Sequence, residues 1–293
     1  ARLFEHYQNL LGVERDVGGG FETGILPLMP KLNEEVKAGL EVPISAREIE
    51  KAIDELQLGK SPGPDGLSAA FYKAFKSEVA EVLCRVITKS YKEKELPLSF
   101  QKTHIVLIPK SDDPVKLLSV GSYRPISLAN VDYKIFMKVL ARRLQNVIKV
   151  IVGPHQTCGI KGRTITTNIH VARSILECCD ETGDRVAMLQ LDLEKAFDRV
   201  VHKVLFSILE HIDVGAVLLD GVKMAYKKCC TNIIVNKNLS ECFQVRSSVR
   251  QGCPLSPLLF AIYLEPFCLK LLNNEKIRGF GLIANEVKVL SYA

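Results

Sequence analysis

Apolar and polar positions along this chain recur with two periods, and the switches between them mark its elements. From Ser45, three residues before Glu48 in a capping-box pattern, Ile49, Ile53 and Leu56 follow at helical spacing until Gly59. The rigid turn KSPGPDG comes next, then a helical stretch over 68–93 and a strand at 103–109, THIVLIP. A loop leads to the short extended RPISL, and a long basic helix is predicted over about 130–149, its end marked by Gly153-Pro154. A further helix covers 164–182. Residues 185–193 then alternate, with Ala187, Leu189, Leu191 and Leu193 on one face and Met188, Gln190 and Asp192 on the other. That pattern predicts a strand with a carboxylate at its tip. Two helices (about 200–211 and 214–228), a pair of strands in NIIVNKNLSECFQV, a helix over 256–272 and a last strand in EVKVLSYA complete the chain. Helices and strands mix without regular βαβ alternation, so the expected class is α+β around a small antiparallel sheet packed on helices. In front, GVERDVGGGFETG reads as a flexible loop, and order is expected to begin near residue 44.

Composition narrows the picture only slightly. A chain of 293 residues, 47% hydrophobic and 25% charged, suits one large or two modest soluble domains. No apolar run reaches the roughly 18 residues of a membrane helix, since PLLFAIYLEPFCL is broken by Glu265 and Pro266. The opening ARLFEHYQNL lacks the features of a secretory signal, and because residue 1 is not Met the true start is expected upstream. Nine cysteines without CxxC or Cys/His spacing point to reduced intracellular thiols rather than zinc. A net charge of +6 is compatible with a polyanionic partner but is weak evidence for one.

Several chemistries are excluded. Gly59-Lys60-Ser61 is not a phosphate loop, because the required earlier glycine position holds Asp54. Gly279-Phe280-Gly281 lacks the strand and long helix of a dinucleotide site. Neither GxSxG nor HExxH occurs. What remains is Asp192: a carboxylate at a buried strand tip is costly alone and compensated when it ligates a cation. Asp198 suits a helix N-cap, Phe197 reads as a core aromatic, and Pro257 fits a helix first turn.

Five ordered segments carry a resemblance that single residues do not. IVLIPK (105–110), YRPISLANVDYKIFMKVLARRL (123–144), GPHQ with GIKGR (153–163), LDLEKAFDRVVH (191–202) and RQGCPLSPLLF (250–260) closely resemble the successive blocks of reverse transcriptases. KSPGPDG with the following helix is similar to the extra leading block of the non-LTR (LINE-type) retrotransposon enzymes. The resemblance spans roughly residues 45–293 and implies a right-hand polymerase. Fingers would cover 45–154 and palm 155–199 and 250–293, with 200–249 between the palm blocks, a partly flexible linker over 1–44, and no thumb.

Its implied reaction is nucleotidyl transfer from a dNTP to a DNA primer on an RNA template, with two Mg²⁺ ions held by carboxylates. Asp192 matches the catalytic, metal-holding aspartate, with the Leu193 backbone carbonyl a further ligand. Lys110 and Arg124 match residues that hold the triphosphate, Phe197 the residue beneath the sugar, and Gln251-Gly252 the loop along the nucleotide. Lys134, Lys138, Arg142, Arg143 and Arg163 are candidates for the nucleic-acid backbone. The ending Ser291-Tyr292-Ala293 resembles the start of an aromatic-Ala-Asp-Asp block, so the chain is expected to be a fragment, inactive alone, with two aspartates following. No membrane partner is implied, and an intracellular, nuclear site of action is the expectation for the parent element. A group II intron-type maturase and a decayed or domesticated nucleic-acid binder without catalysis are the alternative readings.

Overall fold

The computed structural model describes residues 2–15, 21, 24–282 and 285–292. Helices α1 (Arg2–Leu11), α2 (Glu34–Glu41), α3 (Ala46–Asp54), α4 (Ala69–Ala74), α5 (Lys76–Glu93) and α6 (Leu98–Gln101) lead to strand β1 (Lys102–Pro109). Strand β2 (Tyr123–Ala129) and helices α7 (Val131–Ile151), α8 (Ile165–Thr182), α9 (His202–Ile212) and α10 (Ala216–Lys227) follow. Strands β3 (Cys230–Val235), β4 (Asn238–Leu239) and β5 (Phe243–Gln244), helix α11 (Ser256–Leu272) and the hairpin β6 (Phe280–Leu282) and β7 (Asn285–Val287) complete the order. The α+β class is as expected, and most elements fall where the spacing puts them. At α3 both arms of the capping box form: Ser45 Oγ accepts from the Glu48 amide, and the Glu48 carboxylate accepts from the Ser45 amide.

The main sheet runs β2-β1-β3-β4, with β5 also on β3. It is mixed rather than antiparallel. β1 pairs antiparallel with β2, placing Ile108 opposite Arg124, but parallel with β3, Lys102 opposite Cys230. A parallel pair needs a long crossover. Here the chain between β1 and β3 runs through helices and re-enters the sheet in the same direction.

At the centre lies α7, buried along most of its circumference by Tyr133, Phe136, Met137, Leu140, Leu144 and Ile148 among others. The basic residues of this helix, candidates for the nucleic-acid backbone, are engaged by the protein itself. Arg143 is 6% exposed, and its guanidinium donates to the Glu48 carboxylate at 2.7 and 2.8 Å and to the carbonyls of Leu40, Val42 and Pro43. Arg142 and Lys138 both reach the Glu55 carboxylate, at 2.6 and 3.0 Å. Lys134 stands 3.5 Å from the Ser61 carbonyl, and burial pushes its pKa down. Arg163 donates to the carbonyls of Val152, Gly153 and Gln156. Lys138, Arg142 and Arg143 are held by protein because α3 and the 40–43 segment cover the face of α7 that carries them.

Glu265, which breaks the apolar run of α11, is 1% exposed. It accepts from the Gly153 amide at 2.9 Å and from the Gln156 side chain, and it pairs with His155 Nε2 at 3.1 Å. A buried carboxylate so surrounded is compensated rather than orphaned, and it pins the GPHQ turn to α11.

Two further expectations fail. The chain is ordered well before residue 44, because Tyr7, Leu10 and Leu11 of α1 pack with Ile105, Ile233 and Phe243 in a second, smaller core. The expected flexible loop over 12–24 lies largely outside the described residues. Residues 183–193 form no strand: they run on without a ladder partner, and Leu189 is 81% and Leu191 62% exposed. Alternation supplies two faces, but a strand also needs a neighbour for its amides and carbonyls. None pairs here among the described residues. No helix among them is long and apolar enough to cross a membrane.

Arg143→Ala leaves the carbonyls of Leu40, Val42 and Pro43 without their donor and takes the guanidinium from Glu48, which keeps Ser45, so it should cost roughly 3 kcal/mol in urea unfolding. Arg143→Lys should recover only part of that, lacking the planar fork. Burial holds the pKa of His202 low, opposed by the Ser248 carbonyl that its Nε2 contacts at 2.7 Å and assisted by Arg250. The unfolded chain therefore takes up a proton below about pH 6.5 that the folded chain refuses. Stability should fall as pH drops through that value, by up to about 1.4 kcal/mol per pH unit from this group. The slope should be shallower in His202→Gln, whatever its absolute stability, in denaturation series over pH.

Candidate functional site

The end of β1 and the start of β2 build one wall of a cleft of about 440 Å³. The Lys110 amide donates to the Ser122 carbonyl at 2.9 Å, and its ammonium to the Gly121 carbonyl at the same distance. That brings Lys110 beside Arg124, which follows on the paired strand. Facing them is the turn at Gln251-Gly252. The Gln251 carbonyl accepts from the Ser127 amide at 3.0 Å, so the turn is stitched to β2. Gly252 has φ +102°, and a Cβ there would lie 3.2 Å from the Ser127 carbonyl oxygen, so any larger residue would be both strained and crowded.

Of the residues singled out in the sequence, the structure brings Lys110, Arg124, Asp192, Leu193 and Gln251 into this one cleft. Phe197 does not line it. Its ring packs on Phe260, centroids 4.9 Å apart, against the main core. Asp192 lies on the exposed segment, so the desolvation cost that a buried strand tip would impose does not arise.

Asp198 was legible only as a helix cap, and it is not one. It sits in the short 3-10 turn Phe197–Arg199, 5% exposed, and its Oδ1 accepts from the Gln251 side-chain amide at 2.9 Å. Burial pushes its pKa up, against the Gln251 hydrogen bond and the charges of Lys195, Lys110 and Arg15. The other unforeseen wall is α1, which contributes His6, Tyr7 and Leu10. Burial, then Asp198 and Tyr123, push the Tyr7 phenol up to about 12, so it stays protonated. Burial and then Lys195 push the His6 imidazole down, which fits a neutral ring accepting from the Lys195 ammonium at 3.3 Å. The signal for α1 was present in Leu3, Tyr7, Leu10 and Leu11, spaced as one helical face.

The cleft thus offers cations on its strand wall and carboxylates opposite, an arrangement suited to an anionic ligand with hydrogen-bonding edges. For a metal it falls short. Among the described residues no group of three or more His, Cys, Asp or Glu is close enough to hold an ion. Asp198 is already engaged by Gln251. Asp192 and the Leu193 carbonyl alone are too few oxygen donors for two octahedral Mg²⁺ ions.

Residues 108–293 match the family described as reverse transcriptase (RNA-dependent DNA polymerase). The chain is 34% identical over 262 residues to the transposon TX1 uncharacterized 149 kDa protein of Xenopus laevis, covering 89% of this chain and 20% of that protein. It is 29% identical to the probable RNA-directed DNA polymerase from transposon BS of Drosophila melanogaster, over 75% of this chain and 24% of that one. To the Pol polyprotein of the type-1 retrotransposable element R2 of Nasonia vitripennis it is 24% identical, over 91% of this chain and 24% of the relative. The chain therefore spans about a fifth to a quarter of the length of these curated relatives.

Because Phe197 packs on Phe260 and the core, Phe197→Ala should lower stability by about 2 kcal/mol, less than for a fully buried ring, in urea unfolding.

Proposed function

Because the chain belongs to the reverse transcriptase (RNA-dependent DNA polymerase) family, we propose that its cleft receives the incoming deoxynucleotide during RNA-templated DNA synthesis in a non-LTR (LINE-type) element protein. The observation that carries this reading is the convergence of Lys110, Arg124, Asp192 and Gln251, from four separated segments, on one cleft. Lys110 and Arg124 supply a compact and a planar cation for the triphosphate. Gln251, held by Asp198, sets the opposite edge, where the nucleotide lies along the template. Phe197 would act on the sugar only after leaving its packing on Phe260. RNA template, DNA primer and dNTP are the partners this implies.

The family generally uses Mg²⁺. The carboxylates described here are too few to complete its site, so the contribution assigned to the rest of this cleft is to bind and orient the nucleotide. Asp192, exposed at the mouth of the cleft, is the residue we assign to the metal side of that reaction.

A fluorescent dATP analogue titrated into the purified chain tests the reading. Lys110→Ala and Arg124→Ala should each weaken binding about tenfold, the worth of a charge-assisted hydrogen bond. Lys92→Ala on α5, away from the cleft, should leave it unchanged. Equal affinity in all four proteins would remove the triphosphate from this cleft.

A further inference from the structure

The segment leading to Gln251 contains a residue in a backbone conformation it does not favour. Ser248 has φ +96°, in the region where a β-carbon is crowded and glycine is preferred. It is 5% exposed, so its backbone groups must find partners in the protein. Strain of this kind persists only where the surroundings hold it. Here one stretch does the holding. Residues 197–202, the end of LDLEKAFDRVVH, run alongside 247–251, and Val201 forms an antiparallel bridge with Ser247. The Ser248 amide donates to the Val200 carbonyl at 2.8 Å, and the Val249 amide to the Phe197 carbonyl at 2.9 Å.

The remaining contact is made by a side chain. His202 Nε2 stands 2.7 Å from the Ser248 carbonyl oxygen. A carbonyl can only accept, so Nε2 carries the hydrogen and donates it. The imidazole is itself fixed, its ring centroid 4.6 Å from that of Tyr226 and 6.1 Å from that of Phe206. The Ser248–Val249 peptide is therefore gripped at both ends, its carbonyl by His202 and its amide by Phe197. Turning that peptide to relieve Ser248 would break both bonds. Two residues further on, Gln251 is stitched to β2 through its carbonyl and to Asp198 through its side chain. His202 does not line the cleft, so whatever it does there it does through this turn.

We propose that His202 is a positioning residue for the nucleotide cleft, its hydrogen bond to the Ser248 carbonyl holding the strained peptide that sets Gln251 against the nucleotide. This rests on the reading of the cleft as the nucleotide site. An ordinary core histidine would instead contribute packing between α9 and α10. Glycine at position 248 separates the two roles. It adopts φ +96° without strain. If His202 serves to hold the peptide, glycine makes it dispensable; if His202 serves by packing, glycine changes nothing.

The test uses the whole chain and the fluorescent dATP analogue. His202→Phe keeps a ring of similar size and removes the donor. It should weaken binding about fivefold, the worth of one buried hydrogen bond, and in the Ser248→Gly background the same replacement should cost less than about twofold. Hydrogen exchange at the Val249 amide gives a measure independent of nucleotide: His202→Phe should speed it by a similar factor, and Ser248→Gly should suppress that effect. Ile208→Val, a core truncation on the same helix, should leave the affinity unchanged. Parent affinity in His202→Phe overturns the proposal. So does the same loss with and without Ser248→Gly, or an equal loss in Ile208→Val. Should His202→Phe melt early, His202→Gln and His202→Met make the same comparison, since the first keeps a donor near the place of Nε2 and the second does not. If Lys110→Ala binds as the parent does while Val249 exchange follows the expected pattern, the hold of His202 on the turn stands and the reading of the cleft is what fails.

Discussion

A guanidinium buried without a carboxylate organises this molecule. Arg250 is 3% exposed, and no ion pair reaches it among the described residues. Its charge is compensated by dispersed groups: the ring of Tyr133 at 4.4 Å, the carbonyls of Phe100 and Ala225 at 3.4 Å each, and the Cys229 sulfur at 2.8 Å. Those groups belong to α7, α6, α10 and the residue leading into β3. A buried charge is tolerable only while its partners hold position, so one side chain ties together three helices and the sheet. The neighbouring residues inherit that order. Ser248, at φ +96°, is bonded through its amide to Val200 and through its carbonyl to His202, and Gln251 is bonded at both its carbonyl and its side chain. The face of the cleft opposite the strands is therefore set by the core.

Much of this was readable in the sequence, and the parts that were not share a cause. The capping box at Ser45, the strands at 102–109 and 123–129, and the helix at 256–272 depend on neighbours along the chain, which the sequence displays. The gathering of Lys110, Arg124, Asp192 and Gln251 was legible through ordered motifs. Composition and periodicity alone would not have joined them. Asp198 was misread because a carboxylate six residues beyond Asp192 gives no sign that Gln251, far along the chain, will reach it. The parallel pairing of β1 with β3 was hidden for the same reason, since direction depends on how the intervening helices return the chain.

Basic residues make the point most sharply, because charge in a sequence shows what a side chain can do and not what it is doing. Arg142 and Arg143 stand side by side on one helix, yet one reaches Glu55 and the other is nearly buried against Glu48 and three carbonyls. Lys203, Lys227 and Arg246 lie in stretches that no motif marked, and among the described residues none forms an ion pair, though Lys227 donates to the Lys94 carbonyl. A helix face offered to nucleic acid must keep its donors free of protein acceptors.

The same reasoning bears on Asp192. A carboxylate buried without a partner would demand a cation to be stable, and its presence alone would then be evidence for one. Asp192 is exposed, so water suffices for it and no cation is required on grounds of burial. Its claim on the reaction rests instead on position: it opens onto the cleft that holds Lys110 and Arg124, on a segment whose amides and carbonyls are not committed to a sheet. Asp198 is the converse case, buried, hydrogen-bonded and raised in pKa, which fits it to hold Gln251 in place rather than to ligate an ion. Two carboxylates six residues apart thus differ in what they can do, the exposed one open to solvent at the cleft and the buried one fixing Gln251 on the cleft's opposite side.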